Sequence, residues 1–229
     1  MDSAITVFEG LKILYEDNHL IVCIKPAGVL SQSDGSGAPD MLTILKRYIK
    51  EKYEKPGEVY LGLVHRLDRP VSGVMVFART SKAASRLSEQ IRNRKVEKLY
   101  RCVVNGVLEG SGRLENYISK DDEKNIVTVS DTEKPGFKAS YLDYRAISVK
   151  DGLTLAEVKL GTGRSHQIRA QMAHNGHPLV GDQKYGQKDN RCKDIALESF
   201  KLSFEHPVKR ENITFEAPIP NGFPWDLFA

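Results

Sequence analysis

The feature that most limits what this chain can fold into is a long succession of short apolar runs cut apart by Asp, Asn, Gly or Pro. Leu11 to Tyr15 and Leu20 to Ile24 flank the turn-like Glu16-Asp17-Asn18 and predict a hairpin. Gly73 to Ala78 (GVMVFA) and Leu99 to Val104 read as buried strands. Arg113 to Ile118, Ile126 to Val129, Phe137 to Val149 and Leu153 to Leu160 follow at short intervals, and Phe200 to Phe204 and Ile213 to Phe215 close the series. Turns this short favour antiparallel neighbours. Helical periodicity is confined to three stretches. Met41 to Tyr53 places Leu42, Leu45, Tyr48 and Ile49 on one face. A second helix runs from Ser81, as its cap, through Asn93. A third runs from Ser165, again as cap, to about Asn175, with Gly176 just past its end. The expectation is an α+β fold: a large mixed, mainly antiparallel sheet flanked by helices and loops. The 229 residues hold no internal repeat, low-complexity tract or long linker. A single domain over 1–229 is expected, although this length also admits two small ones.

Charge is mildly basic, +4 with a pI near 8.8, and its distribution says more than its sum. From Arg79 to Arg101 eight cations face only Glu89 and Glu97, and a second cluster holds Arg164, Arg169, Lys184, Lys188, Arg191 and Lys193. A positive face of this kind can hold a phosphate backbone, but charge alone favours a solvated helix surface plus a loop. Cys23, Cys102 and Cys192 are scattered and odd in number, which argues against a disulfide framework and for a reducing compartment. The N-terminus lacks the basic-then-apolar pattern of a signal peptide. No apolar run approaches the ~20 residues that span a bilayer. A cytoplasmic protein without a membrane partner is expected.

Several catalytic patterns fail. Gly161-Thr-Gly163-Arg-Ser165 lacks the spacing and lysine of a P-loop. His166, His174 and His177 lack HExxH spacing and a nearby carboxylate or thiolate, so no metal is expected. No GxSxG surrounds a serine. What remains is Val64-His65-Arg66-Leu67-Asp68-Arg69-Pro70-Val71-Ser72-Gly73. A held carboxylate there can act as nucleophile or general base, and Arg66 and Arg69 can bind phosphate. By itself the segment reads more readily as a surface turn held by Asp–Arg pairing, since surface ion pairs are common.

The segment VHRLDRPVSGVMVFART resembles the signature of the RluA family of pseudouridine synthases. Four further stretches are similar to that family's motifs, in its order. Tyr15-Glu16-Asp17 leads into Lys25-Pro26-Ala27-Gly28 upstream, and Lys98-Leu99-Tyr100 follows the central segment. Thr162-Gly163-Arg164-Ser165-His166-Gln167-Ile168-Arg169 comes next. Gly176-His177-Pro178-Leu179-Val180-Gly181-Asp182 with Tyr185-Gly186 completes the series. The likeness spans about residues 11–215, and five ordered motifs are far more specific than HRLD alone.

The resemblance implies an RNA uridine isomerase that breaks the C1′–N1 bond, turns the uracil and rejoins it through C5, with no cofactor and no metal. Asp68 aligns with the essential aspartate, acting at the ribose as nucleophile or as base. Tyr100 aligns with the tyrosine that stacks on the target uracil, and Arg169 with the basic residue that pairs with the catalytic carboxylate. Ile168 aligns with an apolar pocket residue. His65, Arg66, Arg69, Arg164 and His166 are expected to line the substrate site, with His65 a scaffold rather than an acid–base group. The target base must leave its stack to reach the pocket. Ser165 stands where the family usually has threonine. About ten residues precede the first motif, which leaves no room for the S4-type RNA-binding domain of many relatives. A compact monomer is therefore expected, gripping ribosomal or transfer RNA through the Arg79–Arg101 and Lys184–Lys193 regions. Two other readings are weaker. A purely RNA-binding module would not need Asp68, Tyr100 and Arg169 together. A glycoside hydrolase would need a second acid beside Asp68.

Overall fold

The structure is a computed structural model that describes residues 6–229. Twelve strands and three α-helices among these residues make the chain α+β. They fall into two compact units, one formed by residues up to Lys98 together with Ser199–Ala217, the other by Leu99–Glu198 with Pro218–Ala229.

The first unit contains β1 (Thr6–Phe8), β2 (Leu11–Glu16), β3 (Leu20–Lys25), α1 (Met41–Lys52), β4 (Gly62–Leu63), β5 (Ser72–Ala78) and α2 (Ser81–Arg92). The chain leaves it inside β6 (Glu97–Asn105) and returns inside β11 (Leu197–Glu205), followed by β12 (Asn212–Glu216). Strand order is β1-β2-β3-β5-β11, with β12 on β11 and β4 on β5. The pairs β1–β2, β2–β3, β3–β5, β4–β5 and β11–β12 are antiparallel. The runs LIVCI and GVMVFA are apolar at every position because β3 and β5 are covered on both faces. On one face Leu20, Val22, Val74, Val76 and Ala78 pack with Ala83 and Leu87 of α2 and with Leu202 and Phe204 of β11.

The second unit continues β6 with β7 (Ser111–Asp121), β8 (Ile126–Ser130), β9 (Lys138–Lys150), β10 (Leu153–Leu160) and α3 (Gln167–His174), in the order β6-β10-β9-β7-β8. Every neighbouring pair in that order is antiparallel. Ala170 of α3 packs on Ile118 and Val127, and Trp225 closes a cluster with Val103, Leu153, Leu155 and Val180.

Two expected caps are corrected. α2 is capped one residue earlier than Ser81, by Thr80, whose side chain accepts from the Ala83 amide at 3.2 Å. Ser165 does not cap α3. The helix starts after His166, which sits in the left-handed region at φ 50, and the Gln167 side chain reaches back to accept from the Arg164 amide at 3.1 Å. Gly176 follows α3 as expected, at φ +83. No helix among the described residues is long and apolar enough to cross a membrane.

Candidate active site

The predicted site residues form two groups, one in each unit. In the first unit His65, Arg66, Asp68 and Arg69 share the loop between β4 and β5. Leucine in HRLD is buried, and its backbone is clasped from both sides by Ser31: the hydroxyl donates to the Leu67 carbonyl at 2.8 Å and accepts from the Leu67 amide at 3.1 Å. Past Asp68 the chain turns tightly, with the Val71 amide donating to the Asp68 carbonyl at 3.0 Å. The far side of the turn is tied to the KPAG segment. Gly28, free to take φ +82, donates its amide to the Arg69 carbonyl at 2.9 Å, and Arg69 Nε returns a bond to the Gly28 carbonyl at 3.0 Å. Beneath lies Lys25, fully buried, whose ammonium donates to the carbonyls of Pro26 (2.9 Å), Val29 (2.7 Å) and Arg69 (3.0 Å). Half-buried Asp68 is thus carried by a backbone held at four points.

His65 is buried, and its Nε2 accepts from the Val76 amide at 3.1 Å, which puts the ring proton on Nδ1. That Nδ1 is buried without a hydrogen-bond partner. Burial, and then the positive charge of Lys98, hold the imidazole well below its usual range, so the ring is neutral. Burial also draws the Lys98 amine down to about 8. His65 thereby ties the loop to β5 through the Val76 amide. Arg66 is exposed, and its side chain makes no hydrogen bond or ion pair with another described residue.

In the second unit Tyr100 lies on β6 opposite Val158 of β10, with its side chain buried. The TGRSHQIR segment forms the turn into α3. Gln167 is buried and organises it: Thr162 Oγ1 donates to Gln167 Oε1 at 2.8 Å, and Gln167 Nε2 donates to the Tyr141 carbonyl at 2.9 Å. Gly161 admits the Tyr141 ring, which a Cβ would meet at 1.8 Å. Arg164 is left exposed on the turn, its guanidinium without a partner among the described residues. Ile168 is buried in α3. Arg169 is buried as well, and its guanidinium forms a bidentate pair with Asp182, Nε to Oδ2 at 2.7 Å and Nη2 to Oδ1 at 2.8 Å. Burial pushes the Asp182 carboxyl up, but the Arg169 guanidinium and the Lys184 and Tyr185 amides outweigh it and hold it below the usual carboxylate range. The Arg169 cation also lies 5.1 Å from the Tyr185 ring centre. Tyr185 Oη accepts from the Val127 amide at 2.8 Å and bonds His166 Nδ1 at 2.7 Å.

Sequence reasoning named no role for Lys25, Ser31, Gln167, Asp182 or Tyr185. Four of them were visible as letters of the quoted motifs. Their distant partners were not, because bonds such as Lys25 to Arg69, Ser31 to Leu67, Gln167 to Tyr141 and Tyr185 to Val127 join segments far apart in sequence.

A family model described as RNA pseudouridylate synthase matches residues 19–174. The ribosomal large subunit pseudouridine synthase D of Neisseria meningitidis serogroup B is 35% identical over 225 residues, covering 93% of this chain and 59% of its own length. The enzyme of the same name from Pseudomonas aeruginosa is 33% identical over 233 residues, covering 95% of this chain and 71% of its own. The chain therefore spans less than two thirds of the Neisseria relative. Among solved structures, human RNA pseudouridylate synthase domain containing 4 superposes with a TM-score of 0.75 at 22% identity, covering 91% of this chain and 88% of that one. Human RNA pseudouridylate synthase domain containing 1 gives 0.74 at 23%, covering 92% and 84%. At that identity the two speak for the fold.

Proposed function

Because the chain belongs to the RNA pseudouridylate synthase family, we propose that it isomerises uridine in RNA to pseudouridine, with Asp68 as the catalytic carboxylate. The observation that carries this reading is the backbone clasp around Asp68. Ser31, Gly28 and Lys25 fix the loop on both sides of a side chain that the fold itself leaves half-buried. A group placed by rigid backbone is preorganised for attack at C1′ or for removal of a ribose proton. Tyr100 supplies the stacking surface that keeps the detached uracil in place, worth ~1–3 kcal/mol. By the resemblance Arg169, Ile168 and His166 belong to the substrate site, and Asp182 aims the Arg169 guanidinium. Arg66 and Arg164, exposed and without a side-chain partner among the described residues, suit contacts to the RNA. Arg69 is already bonded to Gly28 and serves the loop as much as the substrate.

The names of the relatives favour large-subunit ribosomal RNA over transfer RNA as substrate. The reaction as proposed uses no cofactor or metal, and the enzyme acts as a monomer in the cytoplasm.

The test is release of tritium from cellular RNA labelled at uridine C5. Wild-type protein is expected to release label, and Asp68→Asn to lower the rate roughly 10³-fold or more while keeping its fold. Full turnover by that variant, or no release by the wild type where a known synthase works, would remove the proposal.

A further inference from the structure

The structure separates the cations of this basic chain into those consumed by the fold and those it leaves outward. Of the fourteen arginines, ten donate from their guanidinium to a carboxylate or carbonyl of the chain. Arg79, Arg86 and Arg101, counted in the first basic window, are among them: they bond Glu16 (2.9 Å), the Pro207 carbonyl (2.6 Å) and Glu198 (2.6 Å). In the second cluster Arg169 and Arg191 are paired to Asp182 and Asp189, and Lys184 Nζ caps the Asn125 carbonyl. Four arginines have no side-chain partner among the described residues. Two are Arg66 and Arg164, on the two motif loops. The other two, Arg92 and Arg94, stand together with Lys95 at the exit of α2, all three exposed.

We propose that this turn, Arg92-Asn93-Arg94-Lys95, is the surface that grips the phosphate backbone of the RNA. The inference rests on the isomerase reading above for its choice of polyanion.

The turn is a rigid platform. The Asn93 amide donates to the Glu89 carbonyl at 2.9 Å, the Arg94 amide to Ile91 at 3.1 Å and the Lys95 amide to Gln90 at 2.9 Å. Arg94 thereby takes the left-handed position that ends many helices, at φ 56. Glycine fills it most easily, as Gly176 does after α3. α1 ends in the same geometry with Glu54 at φ 48, so the conformation alone does not mark the turn. The mark is a row of cations with no partner among the described residues. A helix C-terminus favours positive charge, but one cation in the last turn meets that need, and Arg92 is already there. Guanidinium groups suit phosphate because they bind it bidentately. The turn also leads straight into β6, the strand that carries Tyr100.

The decisive variant is Arg92→Gln/Arg94→Gly/Lys95→Gln in the full chain, since glycine keeps the left-handed turn. A second variant, Lys46→Gln/Lys50→Gln/Lys55→Gln, removes the same charge from α1 and its exit. Affinity for a fluorescently labelled, uridine-bearing hairpin RNA is measured across KCl concentrations, alongside thermal melting and tritium release. The turn variant is expected to bind roughly tenfold or more weakly near 0.1 M salt. Its plot of log K against log salt should flatten by about two to three in slope, with an unchanged melting temperature and a raised KM. Wild-type affinity and slope in the turn variant would overturn the inference, and so would an equal loss in the α1 variant. A wild type that binds RNA but releases no tritium defeats the isomerase reading instead, and the two salt slopes still decide whether this turn holds the phosphates.

Discussion

Lys25 shows how much of the site depends on a residue that touches no substrate. Its ammonium, fully buried, holds the carbonyls of Pro26, Val29 and Arg69 in one cluster. A charge in such a place is tolerated only because its donors are taken up by oxygens. Lys25→Met fits the space but orphans the Pro26 and Val29 carbonyls, at about 1–3 kcal/mol each for a buried acceptor, while the Arg69 carbonyl keeps only the Gly28 amide. A loss of roughly 3 kcal/mol or more is expected in denaturant unfolding, with tritium release falling further than stability because the Asp68 turn loses its floor. His65 makes a different demand. The unfolded chain takes up a proton below about pH 6.5, while the folded chain keeps the buried ring neutral until well below that. The unfolded state therefore binds more protons across this interval, so stability present above pH 6.5 drains away as pH falls, at about 1.4 kcal/mol per unit for one such group. Stability curves of wild type and His65→Gln between pH 7 and 5 are expected to converge, with the variant showing the shallower slope.

At the scale of elements, Gly73 has the least freedom. It is the second residue of β5, at φ +135, and a Cβ there would stand 2.3 Å from the Ser199 carbonyl oxygen of β11. Backbone cannot move aside as a side-chain tip can. Gly73→Ala is expected to cost roughly 3 kcal/mol or more by thermal unfolding. The Ser-Gly pair was legible in the sequence as a motif; the strand pressed against it, far along the chain, was not. The same division holds for the elements generally. Strands with a strong apolar run, such as Leu153–Leu160, were readable nearly to the residue. β1 and β4, three and two residues long, carry no run and were missed. Helix positions followed from periodicity, but their caps did not. Thr80 and Ser81 both offer a hydroxyl, and the backbone geometry that favours Thr80 is absent from the letters. In α3 a side chain inside the helix, Gln167, does the capping, where the sequence pointed to the serine before it. The site was legible as a set of residue types in order. The pairing of Arg169 with Asp182 was hidden, because it joins a helix to a loop beyond its end.

The whole molecule is divided in a way that its motifs do not reveal. The first unit is interrupted: residues up to Lys98 must be completed by Ser199–Ala217. Leu202, Phe204 and Ala217 belong to the same buried cluster as Leu20, Val22, Val74 and Val76. A fragment of residues 1–98 lacks those side chains and the strand beside β5. It is expected to show no cooperative unfolding by circular dichroism, whereas the same fragment joined through a flexible linker to residues 197–217 should recover a transition. The Gly73–Ser199 contact gives this division a consequence in time. On the ribosome the HRLD loop emerges well before the strand against which β5 packs, because residues 99–198 of the second unit lie between them. At about 5–20 residues per second that interval is on the order of ten seconds. Synthesis thus withholds the β11 side of β5 until long after the loop and its upstream clasp are made, and a product terminated in between carries the HRLD loop on an unfinished sheet.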